Sequence, residues 1–93
     1  MYGRVGKLTT KAGSGRELAK VLVAGSQGLP GNRAYHVALD GDNEDHVWIY
    51  ELWDNEQAHQ ASLQLESVIA AIGRGRPLIE RFALTSALKP VAN

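Results

Sequence analysis

Apolar and polar positions along the chain change period several times, and each change marks a new element. From Tyr2 to Thr10, Val5, Leu8 and the threonines give strand character that two glycines weaken. Leu18, Val21, Leu22 and Gly25 then recur at helical spacing and predict one buried face. Ser14, with Glu17 three residues on, predicts a capping box at the start of that helix. Gly28, Pro30 and Gly31 predict its end. Between Arg33 and Asp40 the pattern alternates: Tyr35, Val37 and Leu39 face one way, Ala34, His36 and Ala38 the other. The polar run Asp40 to Asp45 is a turn, and His46 to Trp53 is a second strand of one antiparallel hairpin. Asp54 with Gln57 predicts a helix start, and Ala58, Ala61, Ser62 and Leu63 its course. A break at Leu65–Ser67 precedes a stripe of Val68, Ile69 and Ile72, closed by Gly73 and Gly75. Pro77 follows, and Glu80 to Leu88 alternates as a last strand, with Phe82, Leu84 and Leu88 against Arg81, Ala83 and Thr85.

The order is β-α-β-β-α-β, which predicts an α+β fold: a ferredoxin-like βαββαβ sandwich with one antiparallel sheet. Helices can cover one face of such a sheet, yet the strands carry apolar residues on both. The second face needs a cover of its own, and another copy of the chain is the simplest.

At 93 residues the chain has room for one domain, 1–93. Ten basic and ten acidic residues cancel, so no long-range field draws nucleic acid or an anionic membrane. Cysteine is absent, which excludes disulfides, thiolate metal sites and a cysteine nucleophile. Met1 to Val5 does not open a signal peptide, and no apolar run is long enough to span a bilayer. The expected location is cytoplasmic.

Several strings then combine. Met1-Tyr2-Gly3 and Gly6-Lys7-Leu8 lie in the first strand. Leu29-Pro30-Gly31 precedes the second, which holds Tyr35. Glu51-Leu52-Trp53-Asp54 leads into Ala58-His59-Gln60-Ala61-Ser62-Leu63, and Arg76-Pro77-Leu78-Ile79 comes last. In this order they resemble the antibiotic biosynthesis monooxygenase family, in its small bacterial quinol-monooxygenase-like branch. The resemblance covers nearly the whole chain. It implies a dimeric α/β barrel, a homodimer joined through sheet faces, with a pocket between sheet and helices in each subunit. It also implies oxidation of quinols, anthrones or related polyphenols by molecular oxygen without metal or flavin, so no cofactor is expected. Other members with this fold degrade haem or isomerise small phosphorylated ligands, so fold alone does not fix activity.

The candidate catalytic residues are His59 and Glu51. A histidine titrates near working pH and can remove a phenolic proton; the resemblance places a histidine at this point of the Ala-His-x-Ala-Ser-Leu string. The alternative is a helix histidine that only packs. Glu51 sits among apolar strand neighbours, so burial raises its pKa unless it finds a partner. His59 or Arg76 can supply one, and a Glu–His pair orients an imidazole; a structural salt bridge is the other reading. The candidate substrate-binding residues are Tyr35, Trp53, Ser62 and Arg76. Trp53 and Glu51 share one strand face, while Trp48, Tyr50 and Leu52 share the other. These aromatics form either a pocket wall or core and interface. Tyr35 can hydrogen-bond a quinol oxygen, and His36 then faces the dimer side. Arg74, Arg76 and Arg81 can meet an anionic substrate at the pocket mouth or complement a helix C-terminus.

Metal is not expected. His36, His46 and His59 fall at no ligand spacing. Asp40, Asp42, Glu44 and Glu51 mimic a calcium loop, but Asp45 stands where glycine is required. Gly13-Ser14-Gly15 and Gly73-Arg74-Gly75-Arg76 lack the context of a phosphate loop. Two departures from the family pattern stand out. Many quinol-oxidising relatives carry a histidine where this chain has Ser62, and the haem-degrading branch needs an asparagine on the first strand, which has none. Besides the monooxygenase, a non-catalytic dimeric module for a small ligand, or a cofactor-free isomerase or cyclase in the same pocket, fits the residues.

Overall fold

The computed structural model describes residues 1–92. Strand β1 (Tyr2–Thr10) leads through a turn into helix α1 (Gly15–Gly25). Strands β2 (Asn32–Leu39) and β3 (His46–Trp53) form the hairpin. Helices α2 (Glu56–Ser62) and α3 (Glu66–Gly75) follow, then a short 3₁₀ turn (Arg76–Leu78) and strand β4 (Ile79–Leu88). The four strands pair antiparallel in the order β2-β3-β1-β4, the expected βαββαβ sandwich. Among the described residues no helix is long and apolar enough to cross a membrane.

Register decides which residues meet. Tyr2, Arg4, Gly6 and Leu8 stand opposite Trp53, Glu51, Ile49 and Val47, and Tyr35, Val37 and Leu39 continue the row onto β2. This row faces the helices. Leu8, Val47 and Leu18 of α1 make the buried centre, with Leu22, Val37, Leu39, Ile49 and Ile79 packed around it. The alternate residues, including Val5, Lys7, Trp48, Tyr50, Leu52, Leu84 and Leu88, form the other sheet face, which no helix covers. There Lys7 Nζ lies 5.3 Å from the Trp48 ring, and His36 stacks on Tyr50.

Four local expectations are corrected. Ser14 precedes α1, but its side chain makes no capping bond; the turn is held instead by the Asp45 carboxylate, which accepts from the Gly13 N–H at 3.0 and 3.2 Å. The cap of α2 is Asn55, whose Oδ1 accepts from the Ala58 N–H at 2.8 Å, because Asp54 is engaged by Arg33. In β4 the predicted alternation breaks. Register shifts in the β1–β4 ladder put Phe82 opposite Leu8, on the helix side, while Leu84 stands opposite Lys7 on the open side. On α3 the buried positions are Ala71 and Gly75, while Ile69 and Ile72 are exposed.

Small residues at the α1–α3 contact explain that last difference. A Cβ on Gly25 would lie 2.4 Å from the Ala71 Cβ, so only glycine admits this approach. Gly31 does a similar job for α2. Its φ is +76°, its carbonyl accepts the Asp54 N–H at 2.9 Å, and a Cβ there would stand 2.7 Å from the Ala58 Cβ. The loop before β2 thereby presses directly on the helix that carries His59.

Candidate active site

Strand alternation places Glu51 and Trp53 on the helix-facing side of β3, two residues apart. Cross-strand pairing sets Tyr35 beside Glu51 on one flank and Arg4 on the other. Opposite them, α2 buries His59 and Ser62, one turn apart. Tyr35, Glu51, Trp53, His59 and Ser62 together line a cavity of about 120 Å³ between sheet and helices. A second, larger cavity of about 560 Å³ lies alongside, lined by Arg4, Glu51, Arg76, Arg81, Phe82 and Thr85 with apolar residues from β1, α1 and α3. Glu51, Leu22, Ala71 and Ile72 belong to both walls, so the carboxylate stands where the two chambers meet. The larger space suits a multi-ring ligand; the smaller holds the imidazole. Five of the six sequence candidates gather around the smaller chamber, and Arg76 stands in the wall of the larger.

Trp53 is almost fully buried and organises the group. Its indole N–H donates to Glu51 Oε1 at 3.1 Å. Its ring meets the His59 ring edge-on, with centroids 5.5 Å apart, and Tyr2 closes the other side at 5.8 Å. His59 Nε2 comes within 4.0 Å of the same Glu51 oxygen, close enough for charge to matter and too long for a hydrogen bond. His59 Nδ1 is buried with no partner. The Ser62 hydroxyl donates to the His59 carbonyl at 2.6 Å, so it braces the helix and does not touch the ring.

Burial controls the protonation states. It lowers the His59 pKa below its ordinary 6.5, and the nearby positive charge of Arg4 lowers it further, against a smaller raising effect of Glu56. The imidazole is therefore neutral at neutral pH, the form a general base needs. Burial raises the Glu51 pKa above 4.5, offset in part by the Trp53 hydrogen bond and by Arg4. Burial and then the Glu51 charge push the Tyr35 hydroxyl upward, so it stays a protonated donor. No group of three His, Asp or Glu side chains among the described residues is arranged to hold a metal.

The raised Glu51 pKa is a stability statement. A carboxylate with a raised folded pKa costs stability once it ionises, and that cost disappears below 4.5, where folded and unfolded forms are both protonated. Glu51→Gln keeps an acceptor for Trp53 and removes the charge. It should raise the melting temperature by a few degrees at neutral pH and have no such effect below about pH 4.5, while lowering turnover. Melting curves across pH check this; a lower melting temperature at neutral pH would show that the charge is paired and stabilising.

Two members of the site escaped sequence reasoning: Arg4 and Tyr2. The signal was their phase, since Tyr2, Arg4, Gly6 and Leu8 share a strand face, and Leu8 is plainly core. The three aromatics of β3 do not act as one wall either, because Trp53 lines the cavity while Trp48 and Tyr50 lie on the open sheet face.

Comparison with known proteins agrees with the architecture. A search of curated proteins gave no match. A solved structure from Chloroflexus aurantiacus, provisionally named an antibiotic biosynthesis monooxygenase, shares 40% identity over 99% of this chain and 94% of its own, with a TM-score of 0.96. One from Deinococcus radiodurans with the same provisional name shares 27% identity over 100% of this chain and 95% of its own, with a TM-score of 0.81. A third, from Nitrosomonas europaea, is only 10% identical, covers 99% of this chain and 100% of its own, and superposes at a TM-score of 0.88, so the likeness there is of fold alone. The sequence profile of the antibiotic biosynthesis monooxygenases matches residues 1–74, which carry β1 through α3 and every member of the smaller chamber. Members of this family bind small ligands, typically assemble as oligomers and support a general monooxygenase-like role, and the chain belongs to the antibiotic biosynthesis monooxygenase family.

Proposed function

We propose that residues 1–93 form one domain that acts as a cofactor-free, cytoplasmic monooxygenase on a quinol, anthrone or similar polyphenol. His59 removes a phenolic proton and leaves an electron-rich anion. That anion passes one electron to oxygen, and the resulting radical and superoxide combine at carbon. Loss of water from the peroxide leaves a carbonyl, so one oxygen atom enters the product, the other leaves as water, and all the electrons come from the substrate. Glu51 stabilises the imidazolium that forms when His59 takes the proton, Tyr35 donates to a substrate oxygen, Trp53 and Ser62 fix the wall and helix around the ring, and Arg76 meets the substrate in the larger chamber. Excluding water strengthens each of these interactions.

One observation carries this reading: a buried imidazole stands 4.0 Å from the oxygen of a carboxylate that lies at the junction of two cavities. We also propose that the uncovered sheet face, with Tyr50, Leu84 and Leu88 each more than a third exposed, meets a second copy. A homodimer is then the expected species in sedimentation at micromolar concentration.

The direct test is oxygen uptake with a panel of quinols and anthrones. The expected result is one oxygen consumed per substrate, with no stoichiometric hydrogen peroxide. A ligand that raises the melting temperature without oxygen uptake, across the whole panel, would overturn the oxidation and leave a binding module.

A further inference from the structure

Arg4 and Glu51 are direct cross-strand neighbours of opposite charge, half-buried on the same face. Such a pair normally closes into a salt bridge. Here it does not. The Arg4 guanidinium donates to the Tyr2 hydroxyl at 3.0 Å, and Glu51 Oε1 accepts from Trp53. Among the described residues no carboxylate oxygen lies within 4.0 Å of Arg4. Arg4 therefore stands in the wall of the larger chamber without a contact ion pair, and only one of its nitrogens has a hydrogen-bond partner there. That wall also holds the cations Arg76 and Arg81 and the carboxylates Glu51 and Glu80. Three positive groups against two negative ones leave room for one negative charge. Apart from Thr85, the rest of the wall is largely apolar, with Leu8, Leu18, Leu22, Ile49, Ala71 and Ile72.

We propose that Arg4 is a specificity-determining residue that receives a carboxylate borne by the substrate, so that the preferred ligand is an aromatic polyphenol acid and not a neutral quinol. This rests on the proposed polyphenol chemistry and narrows its substrate class. A guanidinium matches a carboxylate in plane and offers two parallel N–H donors. Next to an apolar wall that bond is worth more than in water, and it would lay the hydrocarbon rings along α1 and α3. The same anchoring sets which ring edge reaches Glu51 and His59. A neutral quinol would fill the apolar part and leave the guanidinium without its anion.

The test is anaerobic calorimetric titration with two probes, a dihydroxynaphthalene and the same compound bearing one carboxylate. The wild-type protein should bind the acid at least about tenfold more tightly, the scale of one charge-assisted hydrogen bond. Arg4→Gln should abolish that preference yet still bind the neutral compound, while Arg74→Gln, outside both chambers, should keep it. Equal affinity of the wild-type protein for both probes overturns the proposal, and this comparison does not depend on any variant folding. If those equal-affinity probes are still oxidised in air, the monooxygenase reading stands without it. A preference for the acid that survives in Arg4→Gln also overturns the assignment, and points to the rim arginines.

Discussion

His59→Ala is expected to reduce oxygen-dependent turnover by at least about tenfold, and by as much as 10⁴-fold, the usual range for loss of a positioned general base. The expectation follows from protonation as much as from position. Burial and Arg4 hold the imidazole neutral below its ordinary 6.5, so the acid limb of the rate profile should lie below that value. The same depressed pKa has a thermodynamic sign. Below 6.5 the unfolded chain binds a proton at this histidine before the folded one does, so the folded protein loses stability as pH falls through that range. His59→Ala lacks this loss and should show a flatter dependence of melting temperature on pH. His59→Gln preserves more of the side-chain volume between Tyr2 and Trp53 and guards against an effect of packing alone. Unchanged kcat in both variants would remove His59 from the mechanism, whatever happened to stability.

The fold was legible in the chain to the level of element order, because it rests on period. The alternation over β2 and β3 and the helical spacing of Leu18, Val21 and Leu22 are local properties. Errors arose where a distant residue took over a local job. Ser14 carries a capping-box signature, yet Asp45, 31 positions on, occupies the turn through the Gly13 N–H at a separation of 32. Asp54 is a sound N-cap by type, but Arg33 engages it across 21 positions, and the cap passes to Asn55. The stripe of Val68, Ile69 and Ile72 misled for a related reason. Apolar size does not mean burial here, because α3 turns its small residues, Ala71 and Gly75, toward α1, where Gly25 permits close approach.

The site was half legible. His59 and Glu51 are eight positions apart, on different elements, and nothing in the string gives their distance. What linked them was chemistry: a carboxylate on an apolar strand face needs a partner, and a histidine one element later can be one. Arg4 carries no signal in the string because its importance lies in register. Only the pairing of Arg4 with Glu51, and then the failure of the two to bond, singles it out from nine other cations. The bulges between β1 and β4 were equally invisible. They bring Phe82 into the larger chamber, where strict alternation would have grouped it with Leu84 on the open face.

Trp53→Ala should have the largest effect on stability of any change in the site. The side chain is 1% exposed and supports both Glu51 and His59. Truncating a buried tryptophan costs about 3–5 kcal/mol, and each kcal/mol lowers the melting temperature of a domain this size by about 4–8 °C. The variant should therefore be largely unfolded or inactive at working temperature, which by itself says little about chemistry. Trp53→Phe separates the two roles. It keeps an aromatic edge against His59 but removes the indole N–H together with part of the buried ring, so the loss combines an orphaned acceptor, about 1–3 kcal/mol, with a cavity cost that does not depend on pH. Because that N–H holds the Glu51 pKa down, its removal lets burial raise the carboxyl further. A raised folded pKa contributes stability that is lost as pH climbs through it, so the deficit of Trp53→Phe should be smallest below 4.5, where only the cavity cost remains, and grow toward neutral pH. Glu51→Gln in the Trp53→Phe background should erase that pH dependence, since no titrating carboxyl remains. Denaturant midpoints of the two variants at acid and neutral pH measure the difference. A Trp53→Phe deficit independent of pH would mean that the indole acts on Glu51 through packing alone, and that the carboxylate is not tuned by the indole hydrogen bond.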